Sequence, residues 1–253
     1  MIMEGRFKDK VAIVTGGAEG IGRGVAFRLG KEGADVVLFD VNEKLLQKAI
    51  TEFKEAGIQT SGYMVDVSNE LQVSEKTALV EQQKHRIDIL VNSAGIVGPT
   101  STKITEYPTA DFDRIYEVNL KGTFLMTKYV LQVMKRTGTG RILLIASIAG
   151  KEGNPGMVGY STTKAGVIGL VKGVAKEFAD TNITINGLAP AVIKTTMNEN
   201  TSPEQLAYMT AKIPMQRLGT VDEVAAMCCF IVSEENSFST GFIYDISGGR
   251  ATY

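Results

Sequence analysis

One stretch limits what this chain can fold into more than any other, the run from Val11 to Asp40. Val11, Ala12, Ile13 and Val14 make a short apolar run of the kind found in a strand covered on both faces. Gly16, Gly20 and Gly22 follow. The apolar period then lengthens through Ile21, Val25, Phe27 and Leu29, predicting a helix that stops near Gly30 or Gly33. Asp35 to Phe39 reads as a second buried strand, and Asp40 closes it. Strand, glycine turn, helix, strand and acid in this order predict a dinucleotide-binding unit.

Each part of that unit has a physical job. A phosphate approaches a backbone only where no Cβ stands in the way, and glycine also supplies the unusual φ angles of the turn. A helix beginning near Gly20 or Ile21 directs unpaired N–H groups and the positive end of its dipole at a pyrophosphate. Asp40 follows Gly22 by eighteen residues, which places it to accept hydrogen bonds from the adenosine ribose hydroxyls. The same charge repels a 2′-phosphate, so the unit favours NAD over NADP. Glu19 adds negative charge to the turn, whereas Arg23 argues the other way. The spacing Gly16-x-x-x-Gly20-x-Gly22 departs from the generic G-x-G-x-x-G, and an ordinary loop also carries glycines. The assignment therefore rests on strand, helix and acid standing in register with them.

Strand-like and helix-like segments alternate along the rest of the chain. This predicts an α/β fold, a single-domain Rossmann-type doubly wound parallel β-sheet of about seven strands with helices on both faces. Asn42 is read as the cap of a helix ending near Ala56 at Gly57, and Ser68 as the start of another. A long helix is expected from about Asp111 to Arg136, another from Gly156 to Phe178, and a short one from Val221 to Ser233. Strands are expected near Ser61–Val65, Ile87–Val91, Arg141–Ala146, Ile183–Asn186 and Phe242–Ile246, with a loop over 96–109. Residues 191–215 read either as a substrate lid or as a plain surface insertion. At 253 residues with no linker or repeat, 1–253 reads as one domain. Ligands on such sheets bind outside the carboxyl ends of the strands. There the sequence places Gly16, Asp40, Asp66, Asn92, Ser147 and Pro190.

Composition excludes several classes. A net charge of −1 gives no reason to expect nucleic acid or an anionic membrane as partner. No apolar run reaches the roughly 20 residues of a membrane span. The opening MIMEGRFKDK lacks the apolar core of a signal peptide, so a cytoplasmic location is expected. Cys228 and Cys229 are neighbours in the apolar stretch Val224–Val232 and read as two small buried hydrophobes on a helix. The single histidine, His85, lies in a charged segment and reads as a surface residue. With no histidine cluster there is no expected metal site, and zinc-type alcohol dehydrogenation and Ser-His-Asp hydrolysis are excluded.

Tyr160 and Lys164 stand four apart, on one face of a predicted helix, and Ser147 ends the preceding strand at the same edge. A free phenol near pKa 10 is a poor acid–base catalyst at neutral pH. An ammonium beside it, and the positive nicotinamide ring of NAD⁺, favour the phenolate, which then takes the proton of a substrate alcohol as hydride leaves.

With these residues the chain resembles the short-chain dehydrogenases/reductases. The matches are Thr15-Gly16-x-x-x-Gly20-Ile21-Gly22, Asp66-Val67, Asn92-Ser93-Ala94-Gly95, Asn119, Ser147, Tyr160-x-x-x-Lys164 and Asn186-x-x-x-Pro190, in the family's order and over nearly the whole chain. The resemblance implies that Tyr160 is the general acid–base and that Ser147 hydrogen-bonds the reacting oxygen. It implies that Lys164 lowers the Tyr160 pKa and binds the nicotinamide ribose. Asn119 sits, by the same resemblance, at a helix kink and holds a water linking Lys164 to solvent. Asp66 and the Val67 backbone are implied at adenine, and Asn92, Ala94 and Gly95 along the adenosine side. Pro190, Ile193 and Thr195 are implied at the nicotinamide, the last two at its carboxamide. Two positions depart from the family pattern: Ser93 stands where Asn is usual, and Ala191 where Gly is usual, the latter putting local backbone geometry in question.

Substrate choice is expected in Ile96–Thr102, Ile148–Val158 and Ala191–Met215. Lys151, Glu152 and Asn154 are candidates to bind hydroxyls or a carboxylate, with solvated loop residues as the alternative; Lys194 is a further candidate. Arg250, near the C-terminus, is read either as meeting an acidic substrate or as forming a structural salt bridge. The leading expectation is an NAD-dependent dehydrogenase of a small sugar, sugar acid or polyol, and the family's habit implies a homotetramer. A 3-oxoacyl-carrier-protein reductase using NADPH is the alternative. Asp40 opposes it, as does Asp180-Thr181-Asn182, where such reductases tend to be basic. A non-catalytic dinucleotide sensor is a third reading, opposed by the intact Ser147, Tyr160 and Lys164.

Overall fold

The computed structural model describes residues 5–195 and 203–251. Seven strands form one parallel sheet: β1 (Val11–Thr15), β2 (Asp35–Asp40), β3 (Thr60–Met64), β4 (Ile89–Asn92), β5 (Thr139–Ile145), β6 (Asn182–Pro190) and β9 (Ile243–Ile246). The order is β3-β2-β1-β4-β5-β6-β9. Ile13 of β1 stands opposite Val37 of β2 on one side and Leu90 of β4 on the other. The chain thus winds outward from β1 to β3 and then crosses back to β4. The reversal opens a crevice at the carboxyl ends of β1 and β4.

Both faces of the sheet are covered, as a parallel sheet requires. Along β1, Ala12 and Val14 point into one core, and Val11 and Ile13 into the other, the period of two expected of a strand. Helices α1 (Gly20–Lys31), α2 (Glu43–Glu55) and α9 (Val221–Ile231) cover the first face. Helices α3 (Glu70–Lys84), α5 (Gly122–Thr137) and α7 (Val158–Glu177) cover the second. A short α4 (Thr109–Ile115), a one-turn α6 (Ile148–Glu152) and α8 (Pro203–Ala211) lie at the carboxyl edge or along the connections, and two-residue strands β7 (Ile193–Lys194) and β8 (Gly219–Thr220) pair in parallel. No helix among the described residues is long and apolar enough to cross a membrane.

Several local expectations hold. The Asn42 side chain caps α2 by accepting from the Leu45 N–H, and Gly57 takes a φ of +77° just past its end. His85 is exposed and ends α3 with a left-handed φ of 63°. Other expectations are corrected. The cap of α3 is Asn69, which accepts from the Gln72 N–H, while Ser68 bonds back to Asp66. The long helix expected from about Asp111 to Arg136 is two helices joined by a π-helical turn, Tyr116–Lys121, which holds the fully buried Asn119 at the kink that the family resemblance implies. The extra residue of a π turn rotates the following helix, and apolar periodicity does not reveal it. Nor was α6 expected; the Ser147 side chain caps it by accepting from Ala149 N–H. Of the 191–215 segment, 193–194 pair with 219–220 and 203–211 are helical, while 196–202 lie outside the described residues.

Cys228 and Cys229 are free and buried in α9, against α1. Burial pushes the Cys229 thiol up to about 12 and holds Cys228 well above the ordinary range. We expect Ellman's reagent to titrate neither thiol in the native protein at pH 8 and both after unfolding in guanidinium; rapid native labelling of either would contradict this packing.

Candidate active site

The site is assembled at the carboxyl edge, beginning with the turn after β1. Gly16 has a φ of +61°, and a Cβ there would stand 3.1 Å from both N and Cα of Ala94, so glycine is required twice over. A Cβ on Gly22 would run into the Gly16 carbonyl oxygen. Thr15 ties the two strand ends together: its hydroxyl donates to Asn92 Oδ1 (2.8 Å) and accepts from the Ser93 and Ala94 N–H groups (both 3.1 Å). Asn92, 2% exposed, in turn donates to Thr123 Oγ1 (2.8 Å), so its amide is spent on holding this edge. Thr123 also donates to the Asn119 carbonyl (2.6 Å). Thr15 belongs to the quoted glycine motif, but no role for it or for Thr123 was legible; the one signal was the four-residue spacing from Asn119 to Thr123.

Asp40 ends β2 with its carboxylate beside this turn, accepting from Ala18 N–H (3.1 Å) and Asn42 N–H (3.0 Å). Arg23, the residue that argued for NADP, donates to Glu52 at 2.6 Å and lies over the Phe53 ring. Its guanidinium is therefore engaged within the fold. Asp66 follows β3. Partial burial works to raise its pKa, but the Ser68 hydroxyl and N–H bond its carboxylate and hold it below the usual value. Val67 is buried beside it against Gly122, where a Cβ would crowd it.

Across the crevice, Ser147, Tyr160 and Lys164 converge. Ser147 Oγ accepts from Ala149 N–H at 3.1 Å, which leaves its O–H to donate, and it hydrogen-bonds the Tyr160 phenol. Lys164 is 5% exposed; its Nζ donates to the Ile145 carbonyl (2.8 Å) and lies 5.8 Å from the centre of the Tyr160 ring. Burial lowers the Lys164 pKa to about 8. Burial also raises Tyr160, and the Ser147 bond opposes it only in part. The phenol lowering expected from the lysine is therefore not reached by the chain alone. Desolvation of the phenolate dominates.

Gly95 leaves the space between this group and the π turn: a Cβ on it would stand 3.2 Å from Asn119 Oδ1 and 3.6 Å from Lys164 Nζ. The Asn119 amide is clamped at both ends to Ile96, accepting from its N–H and donating to its carbonyl, each at 2.8 Å. On the far side, Pro190 ends β6, Ile193 is buried, and the Thr195 methyl comes within 3.9 Å of where a Gly20 Cβ would stand. Ala191 donates to the Ile246 carbonyl (3.1 Å) and is not among the described positive-φ residues, so the missing glycine leaves no strain there. Gly150, which sequence reading passed over, packs α6 on the α7 backbone: a Cβ there would stand 2.6 Å from the Lys164 carbonyl carbon.

Two of the substrate candidates are held in ion pairs and the third in a hydrogen bond. Lys151 Nζ lies 3.4 Å from Asp245 Oδ2 on β9. Glu152 accepts from Arg250 Nε (2.9 Å), and Asn154 Oδ1 accepts from Arg250 Nη2 (3.0 Å). Of the two roles open to Arg250, the salt bridge is therefore formed. Lys194 is exposed.

This fold and this edge are those of the short-chain dehydrogenases/reductases, and the chain belongs to that family. A family model described as enoyl-(acyl carrier protein) reductase matches residues 16–251. The chain is 41% identical over 252 residues, all of this chain and 99% of the other, to a 2-dehydro-3-deoxy-L-rhamnonate dehydrogenase (NAD(+)) of Sphingomonas sp. strain SKA58. It is 36% identical, over 96% of this chain and 98% of the other, to a 3-oxoacyl-[acyl-carrier-protein] reductase of Thermotoga maritima. An NAD⁺-bound xylitol dehydrogenase superposes with a TM-score of 0.91 at 32% identity, covering 96% of this chain and 99% of that one. The protein is an oxidoreductase acting on CH–OH groups.

Proposed function

We propose that this protein is an NAD-dependent dehydrogenase of a secondary alcohol carried by a sugar, sugar acid or polyol. The convergence of Ser147, Tyr160 and Lys164 beside a glycine cradle guarded by Asp40 is the observation that carries the reading. The cradle fits a dinucleotide: Gly16, Gly20, Ile21 and Gly22 would take the pyrophosphate at the start of α1, where backbone can approach it. Asp40 would take the adenosine ribose, Asp66 and Val67 the adenine, and the Asn92–Gly95 turn the adenosine side. Pro190, Ile193 and Thr195 would hold the nicotinamide end. NAD⁺ bound there supplies the hydride acceptor.

The chain's own residues manage the proton. Ser147 turns its O–H from the Tyr160 phenol to the alcohol oxygen, and the Tyr160 phenolate takes the alcohol proton. Lys164, mostly protonated at neutral pH, offsets the phenolate charge in a buried place where that charge is otherwise costly. Its remaining N–H groups would hold the nicotinamide ribose. Asn119 holds the turn from which a water relays the proton outward. Residues 191–195 and 203–215, the described parts of the segment read as a lid, would lie over the substrate, and Lys151, Glu152 and Asn154 shape the wall beyond Ser147. The protein is cytoplasmic and works as a homotetramer; Tyr116 and Phe124, about half exposed on the second face, are apolar surface for a neighbouring subunit.

The relatives at 36% identity favour a second reading, a 3-oxoacyl-carrier-protein reductase using NADPH. One panel separates the two: cofactor reduction at 340 nm with NAD⁺ and NADP⁺ in parallel, over polyols, aldoses, deoxy sugar acids and 3-hydroxyacyl thioesters. Turnover of a sugar or sugar acid with NAD⁺ is expected. Turnover of thioesters alone, with the phosphorylated cofactor, would transfer the protein to the second reading.

A further inference from the structure

Beyond β9 the chain makes a tight turn through Ser247, Gly248, Gly249 and Arg250. Both glycines have positive φ (63° and 86°), and the turn is closed by Ala251 N–H donating to Ser247 Oγ at 3.1 Å. Its two sides reach different segments of the site. On one, the Arg250 side chain, 9% exposed, forks onto Glu152 at the end of α6 and Asn154 in the loop that follows it. On the other, the Gly248 carbonyl accepts from the Met215 N–H (3.1 Å), and Gly248 and Gly249 pack on Ile213 and Pro214. Met215 ends the segment that begins at Ala191. A second ion pair, Lys151 to Asp245, runs parallel to the first, from α6 to β9.

We propose that Arg250 is a positioning residue for the substrate: its clamp on Glu152 and Asn154, carried through Gly248 to Met215, makes the end of α6 with its following loop and residues 213–215 one mechanical unit. The inference rests on the dehydrogenase reading only for what the unit positions; the coupling itself does not depend on it. Ser147 is fixed by its own backbone contacts on α6, and Tyr160 and Lys164 by α7, so none of the three reacting groups hangs on Arg250. What depends on it is the outline of the walls between which a substrate settles. A charge-assisted fork at a nearly buried guanidinium orders the loop before substrate arrives, and loss of that order raises the entropic cost of binding.

The test uses the full chain and the variants Arg250→Ala, Arg250→Lys, Glu152→Gln and the double variant Arg250→Ala/Glu152→Gln. Hydrogen exchange read by mass spectrometry needs no substrate. Arg250→Ala is expected to speed exchange in peptides covering 150–157 and 212–216 together. With an alcohol from the panel, KM is expected to rise about tenfold, with kcat within about threefold and NADH affinity by fluorescence unchanged. Arg250→Lys should restore part of the loss, and Glu152→Gln should add little to Arg250→Ala. Exchange that quickens in only one of the two segments, or an unchanged KM, overturns the proposal. A fall in NADH affinity alongside KM, with no rescue by lysine, would mark a merely structural salt bridge and overturn it too. If the wild-type chain turns over no alcohol, the dehydrogenase reading falls while the exchange result still decides the coupling.

Discussion

Tyr160→Phe is expected to reduce kcat on the order of 10³-fold at neutral pH while leaving NADH binding within about twofold. The substitution removes one oxygen and keeps the ring. Packing in α7 and the 5.8 Å approach of Lys164 Nζ to the ring centre therefore survive, and what is lost is the atom that exchanges a proton with the substrate. Burial raises the phenol above its ordinary value, so at neutral pH the neutral form predominates in the chain by itself. Alcohol oxidation needs the ionised form, and kcat/KM for oxidation should rise with pH from 6. The rise should level off as Lys164, lowered by burial to about 8, loses the charge that supports the phenolate. Carbonyl reduction needs the neutral phenol and should show the opposite trend. Stopped assays in both directions between pH 6 and 10 check this, with thermal melting of the variant confirming that it is folded. A Tyr160→Phe variant with a kcat near wild type would remove Tyr160 from the chemistry and revive a sensor role for the fold.

Much of this edge was legible because local chemistry and global fold point the same way. Gly16 is legible since a turn with φ of +61° pressed against Ala94 tolerates no side chain, and the unbroken apolar run Val11–Val14 announces a strand buried on both faces, Ala12 and Val14 in one core and Val11 and Ile13 in the other. The break at Tyr116–Lys121 was not legible from periodicity, because a π turn keeps the apolar content of a helix and changes only its phase. The capping of α3 was misread for a related reason. Ser68 and Asn69 are both good caps, and the choice falls to Asn69 because Asp66 already holds the Ser68 hydroxyl. The pairing of Glu152 with Arg250 joins positions 98 residues apart, a separation at which sequence pattern carries no information about contact. The sign of the Tyr160 shift was also beyond it. The spacing to Lys164 announces an attractive charge, but how far the phenol is desolvated depends on packing that only the folded chain defines.

Asp40→Asn is expected to change the ratio of kcat/KM for NAD⁺ over NADP⁺ by about 10² or more. Hydrogen bonds from hydroxyls to a carboxylate contribute about 1.5–3 kcal/mol, so replacing the charge by an amide should lower kcat/KM with NAD⁺ roughly 10- to 100-fold. The same change removes repulsion of a 2′-phosphate, so NADP⁺ use should rise rather than fall. Asparagine is preferable to alanine because Asp40 also accepts from the Ala18 and Asn42 N–H groups, and an amide oxygen keeps part of that support for the turn. Arg23 bears on the size of the effect. It is drawn to Glu52 at 2.6 Å, so its guanidinium is not free to meet a 2′-phosphate, and the variant gains tolerance of NADP⁺ more than affinity for it. Combining Asp40→Asn with Glu52→Gln releases that guanidinium and should carry NADP⁺ use further than the first change alone. Parallel NAD⁺ and NADP⁺ saturation curves on the wild type and both variants decide the matter. A wild type that prefers NADP⁺, or a ratio unmoved by Asp40→Asn, would separate Asp40 from the ribose, and with it the strongest argument against the carrier-protein reductase.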